Sequence, residues 1–154
     1  GSHLIDLANW FLGPCTKISA SLQTAFWDIA PLEDNAFILL QSSSGRTASL
    51  HASWTQWKKM FHIELYGKEG YLICEGLGGQ YGPEKLTQGT RIFGRTPPPE
   101  EVFEFFSESG KPDVALKNSW KEFMQSIHEG RDIGPSAKDA VVVLRVIESI
   151  YYSH

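Results

Sequence analysis

With 154 residues, 42% of them hydrophobic and 21% charged, the chain has the makeup of a single globular domain with a real core. A net charge of −4 and a pI of about 5.7 exclude a basic nucleic-acid footprint, and Lys58-Lys59 is the only adjacent basic pair. No apolar run approaches the roughly 18–20 residues that a membrane-spanning helix needs.

The first stretch, Gly1 to Gly13, has the period of a short amphipathic helix. Leu4, Leu7, Ala8 and Phe11 recur at helical spacing and are expected to face a core. His3 and Asp6 share the opposite edge, with Trp10 one turn further on, and Gly13-Pro14 ends the helix. A carboxylate beside an imidazole raises its basicity, so this pair suits proton transfer, although two polar groups on the wet side of a helix are also an ordinary solvated face.

From there the period changes to two. Ile18, Ala20, Leu22, Thr24 and Phe26 alternate with Ser19, Ser21, Gln23 and Ala25, as in a half-buried antiparallel strand. Residues 27–34 read as a connection. The near-continuous apolar run 36–40 reads as a central strand covered on both faces, and a turn at residues 42–46 leads into a returning strand over 47–57. Residues 60–66 and 71–74 form a second predicted hairpin, with His62, Glu64 and Tyr66 facing outward.

Four glycines in Gly76-Leu77-Gly78-Gly79-Gln80-Tyr81-Gly82 resemble a phosphate cradle in composition only. A phosphate loop opens a helix, and no helical period follows here, so a flexible connection is the better reading, with Gln80 and Tyr81 still free to line a cleft. Strands are expected over 85–93 and 102–106, separated by a loop stiffened by Pro97-Pro98-Pro99.

Two helices close the chain. Ser119-x-x-Glu122 and Ser136-x-x-Asp139 read as capping boxes. The first leads into Trp120, Phe123, Met124 and Ile127. The second leads into an apolar face of Ala140, Val143, Leu144, Ile147, Ile150 and Tyr151.

Runs of strands and helices kept apart predict an α+β fold, a large open and mostly antiparallel sheet with helices packed on one face, in one domain over residues 1–154. The other face would carry Ser19, Ser21, Gln23, His51, Ser53, Thr55, Glu64 and Tyr66, and is expected to press against a second copy in a homodimer or tetramer. Cys15 and Cys74 lack metal-ligand spacing. Two reduced, buried thiols fit the cytoplasm, and no metal site is expected.

The order Gly1-x-His3-x-x-Asp6, Trp10-Phe11-Leu12-Gly13, Asp34-Asn35-Ala36-Phe37-Ile38-Leu39-Leu40, the turn at Gly45, Ile63 to Leu72, Ser119-Trp120-x-x-Phe123 and Ser136-Ala137-Lys138-Asp139-Ala140 resembles the C-terminal domain of the Gfo/Idh/MocA oxidoreductases. The resemblance implies the substrate and oligomerisation domain of a two-domain enzyme. The partner domain, a Rossmann fold binding NAD or NADP, has no counterpart here: neither a dinucleotide fingerprint nor the family's Glu-Lys-Pro motif is present. The chain is accordingly expected to be part of a longer protein, inactive alone and without bound cofactor. Gly1-Ser2-His3 also matches the scar left by cleavage of an affinity tag, but Gly and His at the motif positions relative to Asp6 favour native residues.

The resemblance makes His3 the catalytic residue, exchanging the proton of a sugar, polyol or nucleotide-sugar hydroxyl as a hydride passes to or from nicotinamide. Asp6 is implied as a substrate contact. Trp54, Lys58 and Tyr81 are further expected substrate-binding residues, the aromatics by stacking on sugar C–H faces and Lys58 by meeting a phosphate. A non-catalytic assembly or ligand-binding module on the same fold is the alternative.

Overall fold

The computed structural model describes residues 1–94, 96–105 and 114–153. In chain order they form α1 (Ser2–Leu12), β1 (Cys15–Gln23), β2 (Asn35–Ser42), β3 (Thr47–Ser53), β4 (His62–Tyr66), β5 (Gly70–Glu75), β6 (Glu84–Thr90), β7 (Glu100–Phe105), α2 (Val114–Glu129) and α3 (Ala137–Ser153). The expected α+β architecture with antiparallel strands is the one observed. Its strands divide into two hydrogen-bonded sheets, β1-β2-β3 and β4-β5-β6-β7, and every neighbouring pair is antiparallel.

The chain divides into two compact units. The first comprises Gly1–Thr55 and Gln125–His154. Its core is Ile5 and Ala8 of α1, Ile38 and Leu40 of β2, and Val143, Val146 and Ile150 of α3, with Ile18, Ala20, Leu22, Ala48 and Leu50 packed around them. The two helices therefore cover one face of the three-stranded sheet. Each fully buried aliphatic side chain of this set contributes about 1.5–3 kcal/mol by leaving water.

Within α1 the buried stripe is Ile5 and Ala8 instead of the expected set with Leu4, Leu7 and Phe11, because the helix is rotated so that positions three apart on that line meet α3 and β3. Gly13, at φ 82°, stops α1 and donates its N–H to Asn9.

Strand β2 is not covered on both faces. Ile38 and Leu40 are buried, whereas Phe37 and Leu39 are about half exposed on the outer face, where Ser21 and Ser19 pair with them across the sheet. Phe37 also stacks on His51 of β3, with ring centroids 4.2 Å apart and planes 11° from parallel. The outer face is thus less polar at its centre than its sequence suggests.

Two predicted strands end early. β1 stops at Gln23 because the next backbone N–H groups turn away from the ladder toward the side chain of Asp34. β3 stops at Ser53 because Ser53 Oγ accepts the N–H of Thr55 at 2.9 Å, a side chain–backbone turn that competes with strand pairing.

The Ser136 box is formed: Asp139 Oδ2 accepts from both the N–H and the Oγ of Ser136 at 2.7 Å. The buried line on α3 is Val143, Val146 and Ile150, while Leu144 stays exposed. Ser119, by contrast, lies inside α2, which already begins at Val114; Ala115, Leu116 and Lys117 are strong helix formers and carry the helix past the expected start. At the C-terminal end of α3, Tyr151 Oη donates to both oxygens of Glu33 at 2.8 Å, pinning the β1–β2 connection.

The second unit, Gln56–Met124, holds the four-stranded sheet. Here β6 ends at Thr90, short of the predicted residue 93, and β7 begins at Glu100, before the predicted 102; Phe106 lies outside the described residues. Tyr71 pairs with Gly89, and a Cβ at Gly89 would fall 2.1 Å from Tyr71 Cζ, so the ring lies across the glycine. That placement lets Tyr71 Oη donate to Glu100 Oε1 at 2.5 Å on the next strand. Glu64 accepts from Tyr66 Oη at 2.8 Å and lies 2.8 Å from His62 Nε2, and Lys85 meets Glu75 at 2.7 Å.

Candidate functional site

α1 carries His3, exposed, in its first turn and Asp6, half-buried, one turn on. Neither side chain makes a hydrogen bond or ion pair with another described residue, so His3 and Asp6 stand side by side on the helix without pairing to each other. A site for a Cβ on Gly1 lies 3.8 Å from Ala52 Cβ. The start of α1 is therefore seated against Ala52 near the end of β3, two residues before Trp54, a strand distance of about 7 Å.

Trp54 is 81% exposed. Its backbone is fixed from both sides: its N–H donates to the carbonyl of Asp34 at 2.8 Å, and its carbonyl accepts from Trp27 Nε1 at 3.2 Å. The fixing residue, Asp34, is 1% exposed. Its Oδ1 accepts from Ala25 N (2.8 Å) and Asn35 Nδ2 (2.9 Å), and its Oδ2 from Phe26 N (2.7 Å) and Trp27 N (2.9 Å). These bonds, that of Ala25 foremost, hold the Asp34 carboxyl far below the usual carboxylate range, despite the opposing effect of burial.

Next to this clamp runs a hydroxyl–amide network. Thr55 Oγ1 lies 3.2 Å from Asn35 Oδ1 and 2.9 Å from Ser53 Oγ, and His51 Nε2 lies 3.5 Å from Asn35 Oδ1.

Lys58 and Tyr81 belong to the second unit, both on exposed segments. The neighbouring pair Lys59 and Gln80 joins those segments, with Lys59 Nζ 3.3 Å from Gln80 Oε1. Of the expected site residues, the first unit holds His3, Asp6 and Trp54 near one another, and the second unit holds Lys58 and Tyr81.

The glycine-rich loop does not fit a nucleotide pyrophosphate. Glu84 Oε1 already takes the Gly78 N–H at 2.5 Å, and strand β6 follows the loop. Gly76, at φ 77°, is required for another reason: a Cβ there would sit 2.1 Å from the carbonyl oxygen of Pro83. Among the described residues no group of three or more His, Cys, Asp or Glu side chains is placed to hold a metal ion, and no helix is long and apolar enough to cross a membrane. Both cysteines are free thiols, half-buried instead of fully buried, and burial pushes the Cys15 thiol up.

The role of Asp34, and with it the placing of Phe26 and Trp27, is not visible in the sequence. An Asp just before a strand is a common turn residue, and nothing in its neighbours marks it as the acceptor for a loop that begins nine positions earlier.

A family model, the GFO/IDH/MocA C-terminal domain, matches residues 1–73. Residues 1–73 are thus similar to that domain family, in line with the ordered motifs in that part of the chain. D-apiose dehydrogenase of Paraburkholderia graminis is 28% identical to the chain over 159 residues, a match that covers 99% of the chain and 41% of that protein. Among solved structures, UDP-N-acetylglucosamine 3-dehydrogenase from Acidithiobacillus ferrooxidans is similar with a TM-score of 0.78 at 16% identity, over 99% of the chain and 44% of that protein. Levoglucosan dehydrogenase in complex with NADH and levoglucosan is similar with a TM-score of 0.76 at 16% identity, over 99% of the chain and 46% of that protein. The chain spans less than half the length of each of these proteins, and at such identities the two structures show a shared fold.

Proposed function

We propose that this chain is the substrate and assembly domain of an NAD(P)-dependent oxidoreductase that transfers a hydride between nicotinamide and a sugar, polyol or nucleotide-sugar. The observation that carries the reading is the match of residues 1–73 to the GFO/IDH/MocA C-terminal domain, with His3 exposed at the start of the first helix and Asp6 one turn on.

On this reading the nicotinamide cofactor is held by another domain of the full-length protein, which agrees with the poor fit of the glycine loop to a pyrophosphate, and it serves as hydride donor or acceptor. His3 Nδ1 or Nε2 takes the proton from the reacting hydroxyl, or returns it in the reverse direction, a task an imidazole performs near neutral pH. Asp6 accepts hydrogen bonds from substrate hydroxyls, and a carboxylate is the stronger acceptor for being charged. Trp54 stacks on the sugar, and Lys58 and Tyr81 are further substrate-binding residues on this reading. The domain assembles into a dimer or tetramer through the outer face of β1-β2-β3, where Phe37 and Leu39 leave apolar surface exposed. Free thiols suit a cytoplasmic setting.

The test is nicotinamide reduction by the full-length protein with a panel of sugars and polyols. His3→Ala is expected to lower kcat about 10²–10⁴-fold, the range for losing a general acid–base group. Turnover unchanged in that variant would instead favour a non-catalytic role for this domain.

A further inference from the structure

We infer that Asn35 and Thr55 form a clamp that sets the place of Trp54, with Asn35 as the positioning residue. What Trp54 touches is taken from the oxidoreductase reading. The clamp stands on geometry within the first unit.

Trp54 follows the last residue of β3 and is 81% exposed, so little packing holds its ring. Its place is set through the backbone instead, from two consecutive residues at the start of the neighbouring strand. The Trp54 N–H donates to the Asp34 carbonyl at 2.8 Å. One residue on, Thr55 Oγ1 accepts from Asn35 Nδ2 at 2.9 Å and lies 3.2 Å from Asn35 Oδ1. Ser53, which pairs with Asn35 across the sheet, completes the bracket. Its Oγ accepts the Thr55 N–H at 2.9 Å and lies 2.9 Å from Thr55 Oγ1. Trp54 is thus the middle residue of a turn whose two ends are fastened to Asp34 and Asn35.

An asparagine is the side chain this place requires. Asn35 Nδ2 also donates to Asp34 Oδ1 at 2.9 Å, and an amide nitrogen has the two hydrogens needed for both bonds. An aspartate at the same position would set two carboxylates against each other. An aliphatic side chain would leave the Thr55 hydroxyl and an Asp34 oxygen short of a partner. Asn35 is 7% exposed, so its bonds are shielded from competing water. Asn35, Ser53 and Thr55 are engaged with one another, which makes them the seat of Trp54 and not a rim of free groups for a ligand. A residue seated during folding does not charge its ordering cost to the ligand that lands on it.

The experiment uses the full-length protein with its nicotinamide cofactor and a panel of glucose, galactose, xylose and N-acetylglucosamine, with their open-chain alditols. Trp54→Ala is expected to raise KM about tenfold while kcat stays within about threefold, because contact with a non-reacting face contributes equally to ground and transition states. Thr55→Val keeps the side-chain shape and removes the hydroxyl. It should raise KM about 3–10-fold, the range for losing a hydrogen bond. Thr55→Ser restores the hydroxyl and should restore KM. In a Trp54→Ala background Thr55→Val should have no further effect, which a merely structural role would not produce. Asn35→Leu should match Thr55→Val, and Thr55→Val decides the matter if Asn35→Leu does not fold. KM raised by Trp54→Ala and unmoved by Thr55→Val overturns the clamp and leaves the oxidoreductase reading standing. An equal rise from Thr55→Val with and without Trp54 also overturns it. KM unmoved by Trp54→Ala removes the substrate contact of Trp54, and the positioning role with it. If no sugar or polyol turns over, the oxidoreductase reading fails, and hydrogen exchange at the Trp54 amide judges the clamp alone. Exchange about tenfold faster in Thr55→Val supports it, and an unchanged rate overturns it.

Discussion

The amide N–H of Trp54 donates to the backbone carbonyl of Asp34 at 2.8 Å, which fastens the residue after β3 to the residue before β2. The same Asp34 gathers three consecutive N–H groups, from Ala25 to Trp27, with its side chain. A carboxylate buried in this way must stay ionised to keep its acceptor sites, and that makes the fold sensitive to acid. The folded state holds the Asp34 carboxyl far below the ordinary range, while the unfolded chain takes up its proton near pH 3.9, to about that value. Between the two the unfolded state binds more protons. The Asp34 contribution is therefore complete above about pH 4 and is lost progressively as the pH falls further. Thermal melts across that range are expected to show a steep acid limb, and Asp34→Asn should flatten it. Glu64, Glu75, Glu129 and Asp139 are also shifted down, but all are more exposed, so an equally steep limb in Asp34→Asn would show that they, and not Asp34, govern acid unfolding.

Leu40 is fully buried between the sheet and its two helices. Leu40→Ala removes packed methyl groups that the surroundings replace only in part, and is expected to destabilise the domain by about 2–5 kcal/mol. Urea unfolding monitored by circular dichroism measures it. A loss below about 1 kcal/mol would mean that the helices collapse onto the space.

Leu39 is one residue away and points to the opposite side, about half exposed, with Ser19 and Ser49 opposite it on the neighbouring strands. If the proposed subunit contact uses this face, Leu39→Glu buries a charge at the contact and should reduce the mass measured by light scattering to that of a single chain, with the far-UV spectrum unchanged. An unaltered mass would move the contact elsewhere.

The Tyr71 phenol is pushed up, chiefly because its O–H donates to Glu100. Gly89→Ala places a methyl group where the ring now lies and should swing the ring off Glu100. The phenol is then expected to titrate at lower pH, nearer its ordinary value, and Glu100→Gln should act in the same direction. Ultraviolet titration of tyrosinate reads both variants. A Tyr71 titration unmoved by either substitution would place the cause of the shift outside the Glu100 bond.

Much of this architecture is legible along the chain. Alternation in 18–23 and 62–66, the helical period behind Ser136 and the stop at Gly13-Pro14 all express local rules of side-chain direction and backbone freedom, and these need no distant partner. The ordered motifs from Gly1-x-His3-x-x-Asp6 onward likewise point to the domain family whose model matches residues 1–73. Where the reading overran, at Phe26 and Trp54, a residue's fate depended on groups far from it in sequence, whereas the early start of α2 follows from local helix propensity. Phe26 carries the same apolar signal as Leu22, yet Leu22 packs beside the core and Phe26 is turned out to solvent.

The chain by itself determined which segments become strands and helices, because periodicity and capping act within a few residues. Only the tertiary structure decided that Asp34 binds two segments together and that the tryptophan after β3 stands fixed beside the helix of His3. The N–H groups that Asp34 captures become available only when β1, β2 and β3 are already side by side, and no local pattern encodes that approach.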